Sequence, residues 1–99
     1  MKSSFSDIIN ENKPVLVDFF AHWCGPCKAL APILEEAKGE LGDRVKIVKI
    51  DVDKNQPLAE KYQVRGVPTL ILFKNGQQLW RSSGVVQKND LVQLINSHK

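Results

Sequence analysis

Ninety-nine residues are enough for one hydrophobic core and too few for two. A hydrophobic share of 42% with 25% charged residues is that of a folded globular domain and excludes a disordered chain. The formal charge of +3 comes from lysines and arginines scattered along the chain rather than gathered in a block. That charge reads as solubilising, and neither nucleic-acid nor membrane binding is expected.

In chain order, Phe5, Ile8 and Ile9 are spaced for one face of a short helix, with Ser3 or Ser4 as its cap, and Asn12-Lys13-Pro14 breaks it. Val15 to Ala21 is nearly continuous apolar sequence, which predicts a strand buried on both faces. Leu30, Ile33, Leu34, Ala37 and Leu41 form one helical stripe, with Pro32 inside it as an expected kink. A second strand is expected over Val45 to Val52, and Pro57 opens a short helix carrying Leu58, Ala59 and Tyr62. Thr69 to Phe73 reads as a third strand, and Asn75-Gly76 as a tight hairpin turn into a fourth, Gln77 to Ser82. A last helix, capped near Asn89, would turn Leu91, Leu94 and Ile95 inward. The order αβαβαββα, with a parallel crossover first and an antiparallel hairpin last, predicts an α/β sandwich: helices on both faces of one mixed four-stranded sheet.

No run approaches the ~18 apolar residues of a membrane span. Met1 to Asn12 holds one lysine and no apolar run, unlike a secretory signal, so the expected compartment is the cytoplasm. Thiols are kept reduced there, and a cysteine pair is more often catalytic or metal-binding than a structural staple.

Cys24-Gly25-Pro26-Cys27 falls where the first strand ends and the second helix begins. Residues three apart on a helical turn stand about 5–6 Å apart, a spacing that suits a disulfide. The free N–H groups and dipole of a helix start favour a thiolate at Cys24, and the thiolate is the nucleophile. Cys27, one turn deeper, is expected to be the less exposed of the two. Cys24 is therefore expected to attack and Cys27 to resolve the mixed disulfide. Zinc fits poorly, since a tetrahedral site wants four ligands and His22 and His98 are the only histidines.

Asp18 is the anomaly of the first strand, on the face of Leu16 and Phe20. A buried carboxylate is costly unless paired or protonated. Asp18 reads either as a proton acceptor for Cys27 or as a partly exposed residue at a sheet edge. Lys49 interrupts the second strand and is the natural partner for Asp18, or else an ordinary solvated lysine. Pro68, opening the third strand, leaves no N–H to donate there.

Trp23-Cys24-Gly25-Pro26-Cys27-Lys28, with Val17-Asp18-Phe19 before it and Arg65-Gly66-Val67-Pro68-Thr69 after it, resembles the thioredoxin family. Lys49, Asp53, the Phe73-Lys74-Asn75-Gly76 turn and Gly84 extend the resemblance from about Phe5 to the C-terminus. It implies a thioredoxin-like three-layer α/β/α sandwich in a single domain spanning residues 1–99. It also implies a Cys24 nucleophile, a resolving Cys27, a proton relay of Asp18 and Lys49, and a cis bond before Pro68. Trp23, Gly25, Pro26, Gly66, Val67, Pro68 and Gly84 would form the surface on which an extended substrate docks. The implied activity is reduction of protein disulfides without a bound cofactor, electrons arriving from NADPH through a flavin-containing thioredoxin reductase. The Gly-Pro insert favours reduction, since a histidine before the second cysteine would stabilise the thiolate and favour an oxidant or isomerase. The competing expectation is a binding module that supports a partner without using its thiols.

Three departures stand out. Phe20 replaces a tryptophan common in the family, so that residue's ring N–H contact to Asp53 is expected to be lost. The charge balance is basic. Too few residues precede the first helix to supply the usual N-terminal strand, which leaves Val45 to Val52 at a sheet edge guarded by Lys46, Lys49 and Lys54, in a chain expected to be monomeric.

Overall fold

β-Branched and aromatic residues dominate Val15–Phe20, and this segment forms the strand β1, in which Val15, Leu16, Val17 and Phe19 are wholly buried. The computed structural model describes residues 4–99. β1 lies inside a four-stranded sheet of order β2-β1-β3-β4, where β2 is Lys46–Asp51, β3 is Thr69–Lys74 and β4 is Gln77–Ser83. β2 runs parallel to β1, and β3 and β4 pair antiparallel. The β3–β4 turn needs positive φ at two successive residues, which Asn75 (53°) and Gly76 (80°) supply.

Alternation along the strands sends side chains to two cores. Leu16, Leu70 and Leu72 meet α2 (Gly25–Leu41) and α4 (Lys88–Asn96) through Leu30, Leu34, Leu91 and Ile95. Val15, Val17, Phe19, Ile71 and Phe73 face the other way, against Phe5 of α1 (Phe5–Ile9) and Leu58 and Tyr62 of the α3 region, whose helix is Gln56–Lys61. The three-layer arrangement matches the expected order.

Two details differ from the sequence reading. α4 starts at Lys88 behind Gln87, so Asn89 sits inside the first turn and caps nothing. Leu94 is only half-buried, and Val92 takes its place among the buried residues. α2 holds Pro32 inside its span, as the apolar stripe predicts, on its exposed side. Of the two candidate caps for α1, Ser4 accepts the Asp7 N–H, and Ser3 lies outside the described residues.

Among the described residues β2 is an edge strand, and its apolar side chains are only partly covered. Alternate amides across Lys46–Asp51 should therefore exchange with solvent much faster than those of Val15–Phe20. Amide hydrogen exchange followed by NMR checks this; uniformly slow exchange in β2 would mean that a further segment or a second copy covers the edge.

Candidate active site

β1 delivers the chain to a turn, Ala21-His22-Trp23, from which Cys24 enters α2 as its N-cap. Pro26 occupies the first turn of the helix, where a missing N–H costs nothing. The Lys28 N–H returns to the Cys24 carbonyl. The Cys27 N–H points instead at Cys24 Sγ, at 3.1 Å, so the helix start directs a donor at that sulfur. Cys24 and Cys27 are joined as a disulfide, their Cα atoms 5.3 Å apart, inside the range that needs no backbone strain. Cys24 Sγ also lies 3.5 Å from the Val67 carbonyl oxygen. The expected difference in burial is absent: Cys24 is 4% exposed and Cys27 6%. What separates the two sulfurs is the donated N–H; Phe20, Val52 and Val67 pack against the buried cluster that holds both cysteines.

Asp18 is 2% exposed and sits mid-strand, facing Lys49 in β2 and Leu70 in β3, which removes the sheet-edge reading. Among the described residues its Oδ1 has no hydrogen-bond partner. Burial raises its pKa from 3.8 to about 6, and the Lys49 charge partly opposes the rise. Lys49 does not touch Asp18: among the described residues no ion pair joins them, and Lys49 Nζ stands 6.0 Å from the centroid of the Phe20 ring. The two face one cavity of about 290 Å³, which Cys27, His22, Lys28 and Ala31 also line. Asp18, Lys49 and Cys27 are thus brought together around a shared space, with no hydrogen bond or ion pair among them in the described residues.

The docking residues are placed unevenly. Trp23 (71% exposed), Gly66 and Val67 line a groove with Val52, Val64 and Arg65. Gly25 and Pro26 are exposed at the start of α2. Pro68 is buried behind a cis Val67–Pro68 bond, and the Gly84 N–H holds its carbonyl at 2.9 Å. Gly84 has φ 91°, a conformation that favours glycine. A Cβ built on Gly84 would meet nothing within 4 Å, so the residue borders open space beside Pro68, although it is not among the residues lining the groove.

Phe20 offers Asp53 no ring N–H, as expected, and a different indole serves that carboxylate. Trp23 Nε1 donates to Asp53 Oδ2 at 2.9 Å, so Phe20 leaves no vacancy at that carboxylate. Beside it, His22 Nε2 meets Asp51 Oδ2 at 3.3 Å, and Asp51 Oδ1 accepts the Asp53 N–H. The end of β2 and the loop after it therefore hold both residues that precede Cys24.

Sequence reasoning missed Arg81, a lone arginine in β4 with no motif around it. Its guanidinium donates to the Tyr62 carbonyl and, at 2.8 Å, to that of Gln63, just past the end of α3. Gln63 has φ 53°, unusual for a side-chain-bearing residue, and leads into the Arg65–Val67 segment. Replacing Arg81 with Met should cost about 1.5–3 kcal/mol in urea denaturation, the range for hydrogen bonds that involve a charged group.

The thioredoxin family model matches residues 1–97 of this chain. The chain belongs to the thioredoxin family. A thioredoxin of Bacillus subtilis is 54% identical over 84 residues, which cover 85% of this chain and 81% of that protein. Thioredoxin Y, chloroplastic, of Oryza sativa subsp. japonica is 47% identical over 96 residues; the match spans 96% of this chain but 57% of that longer relative. Among solved structures, a single-substitution mutant of a thioredoxin from Halobacterium salinarum superposes with a TM-score of 0.86 at 42% identity, over 99% of this chain and 85% of that one. The family assignment and the disulfide at the start of α2 make the chain a protein dithiol–disulfide oxidoreductase acting through Cys24 and Cys27. Among the described residues no cluster of three or more His, Cys, Asp or Glu side chains could hold a metal ion, and no helix is long and apolar enough to cross a membrane.

Proposed function

We propose that the chain is a general reductant of protein disulfides in the cytoplasm, monomeric, and recharged from NADPH by a thioredoxin reductase. The carrying observation is the Cys27 N–H aimed at Cys24 Sγ, with unpartnered Asp18 in the cavity beside Cys27. In the reduced chain the Cys24 thiolate attacks one sulfur of a substrate disulfide. That S–S bond breaks, and the departing thiolate takes a proton. Cys27 gives its proton to Asp18 across the cavity, and its thiolate attacks Cys24 Sγ. The mixed disulfide bond breaks, its departing sulfur takes up the proton that Asp18 releases, and the substrate leaves as a dithiol with two more electrons as the Cys24–Cys27 disulfide forms. Asp18, with a pKa of about 6, is mostly ionised at neutral pH and can accept that proton. Lys49 tunes it through its field, and Val67 offers backbone groups to an extended substrate beside Cys24.

The test is NADPH consumption with a thioredoxin reductase and a disulfide-containing protein. The parent chain should sustain it, and a Cys24→Ser/Cys27→Ser double variant should not. A cellular role that survives the double variant would instead favour a binding module independent of the thiols.

A further inference from the structure

Two recesses open beside the cysteine pair, and their charges are one-sided. The cavity next to Cys27 is lined by Lys28, Lys49 and His22, and the groove next to Trp23 and Val67 by Arg65. The one carboxylate lining either recess is Asp18, which is 2% exposed. Lys28, Lys49 and Arg65 are exposed, and among the described residues none has a carboxylate within 4.0 Å. The other nearby carboxylates line neither recess. Asp51 meets His22 and the Asp53 N–H, Asp53 accepts from Trp23, and Glu60 shares the next hollow with Arg65 without pairing to it. Lysines that do carry partners, Lys46 with Glu11 and Lys88 with Glu40, are bound to residues that line neither recess.

Unpaired cations around an apolar floor focus a positive potential on the reacting sulfur. An extended segment advances about 3.3 Å per residue, so positions two or three away from its reacting cysteine pass within reach of such a rim. We propose that this surface selects disulfides whose cysteine is flanked, within about three residues, by aspartate or glutamate. The proposal rests on the dithiol mechanism above and adds a substrate class to it. Flanking carboxylates raise the pKa of a departing thiol and slow uncatalysed exchange. The rim cations offset this while drawing the acidic segment in.

Three peptides of equal length test it, each carrying one disulfide and differing only in having Asp, Asn or Lys on both flanks. The reduced chain is mixed with each, and second-order rates are divided by the rates with dithiothreitol, an uncharged dithiol. At an ionic strength of about 0.02 M the Asp-flanked peptide should react about 5–20 times faster than the Lys-flanked one, and at about 0.5 M the ratio should fall below about 2. A Lys28→Gln/Arg65→Gln variant should cut the low-salt ratio at least about threefold, whereas Lys88→Gln, far from the site, should leave it unchanged. Lys49 is left in place because its charge also acts on Asp18. Equal rates for the three peptides overturn the charge preference while the dithiol mechanism stands. A preference untouched by losing Lys28 and Arg65 overturns its assignment to this surface. Failure to reduce any peptide overturns the mechanism and the proposal together.

Discussion

Serine in place of Cys27 should stop turnover and leave the chain covalently joined to its substrate through Cys24. The first step needs only the sulfur that receives the Cys27 N–H, and that backbone donor survives the substitution. The second step needs a thiolate one helical turn away, and a serine hydroxyl cannot supply one at neutral pH. Steady-state reduction should fall on the order of a thousandfold or more, while a mixed disulfide accumulates that non-reducing mass spectrometry detects. Serine at Cys24 should abolish turnover without trapping anything. In the two single-cysteine variants, iodoacetamide should modify Cys24 faster than Cys27 at neutral pH. The reverse order would exchange the two roles.

The sequence carried the architecture because each strand's apolar run and each turn residue pointed the same way. Val15 to Phe20 is apolar on both faces, and Asn75-Gly76 has the one dipeptide chemistry its turn requires. Short-range pattern also placed the cysteine pair at a helix start. Relations across the sheet were harder to read. The equal burial of Cys24 and Cys27 comes from Val52 and Val67, which arrive from distant parts of the chain. The Trp23–Asp53 bond spans 30 positions, and the Arg81 contacts join β4 to the end of α3. The link between Asp18 and Lys49 was legible as two charges interrupting apolar strands, yet their register and the cavity they share depend on how β2 pairs with β1 and how α2 lies over it. The cap of α4 was missed because Gln87 makes no side-chain bond and leaves no compositional mark.

Asparagine in place of Asp18 should make the chain more stable and slower at once. The folded carboxyl titrates near 6 against 3.8 as its ordinary value. Below pH 3.8 both folded and unfolded chains hold the proton, and the group favours neither. Between 3.8 and 6 the unfolded chain releases the proton while the folded chain keeps it, so stability falls as pH rises. Above 6 the full cost is present, about 3 kcal/mol for a difference of this size in a group so deeply buried. The asparagine side chain carries no charge. The variant should recover up to that amount at about pH 7, less whatever its unpartnered amide costs, and almost none at about pH 3. Urea denaturation of the oxidised protein at the two pH values measures both. Turnover should drop on the order of a hundredfold, the lower end for a lost general base, and the loss should fall on resolution rather than on the first attack. Greater stability with slower release of the mixed disulfide is an outcome that general damage to the fold does not produce. Turnover equal to the parent across about pH 6–8 would leave Asp18 with a structural place and no part in moving the proton from Cys27.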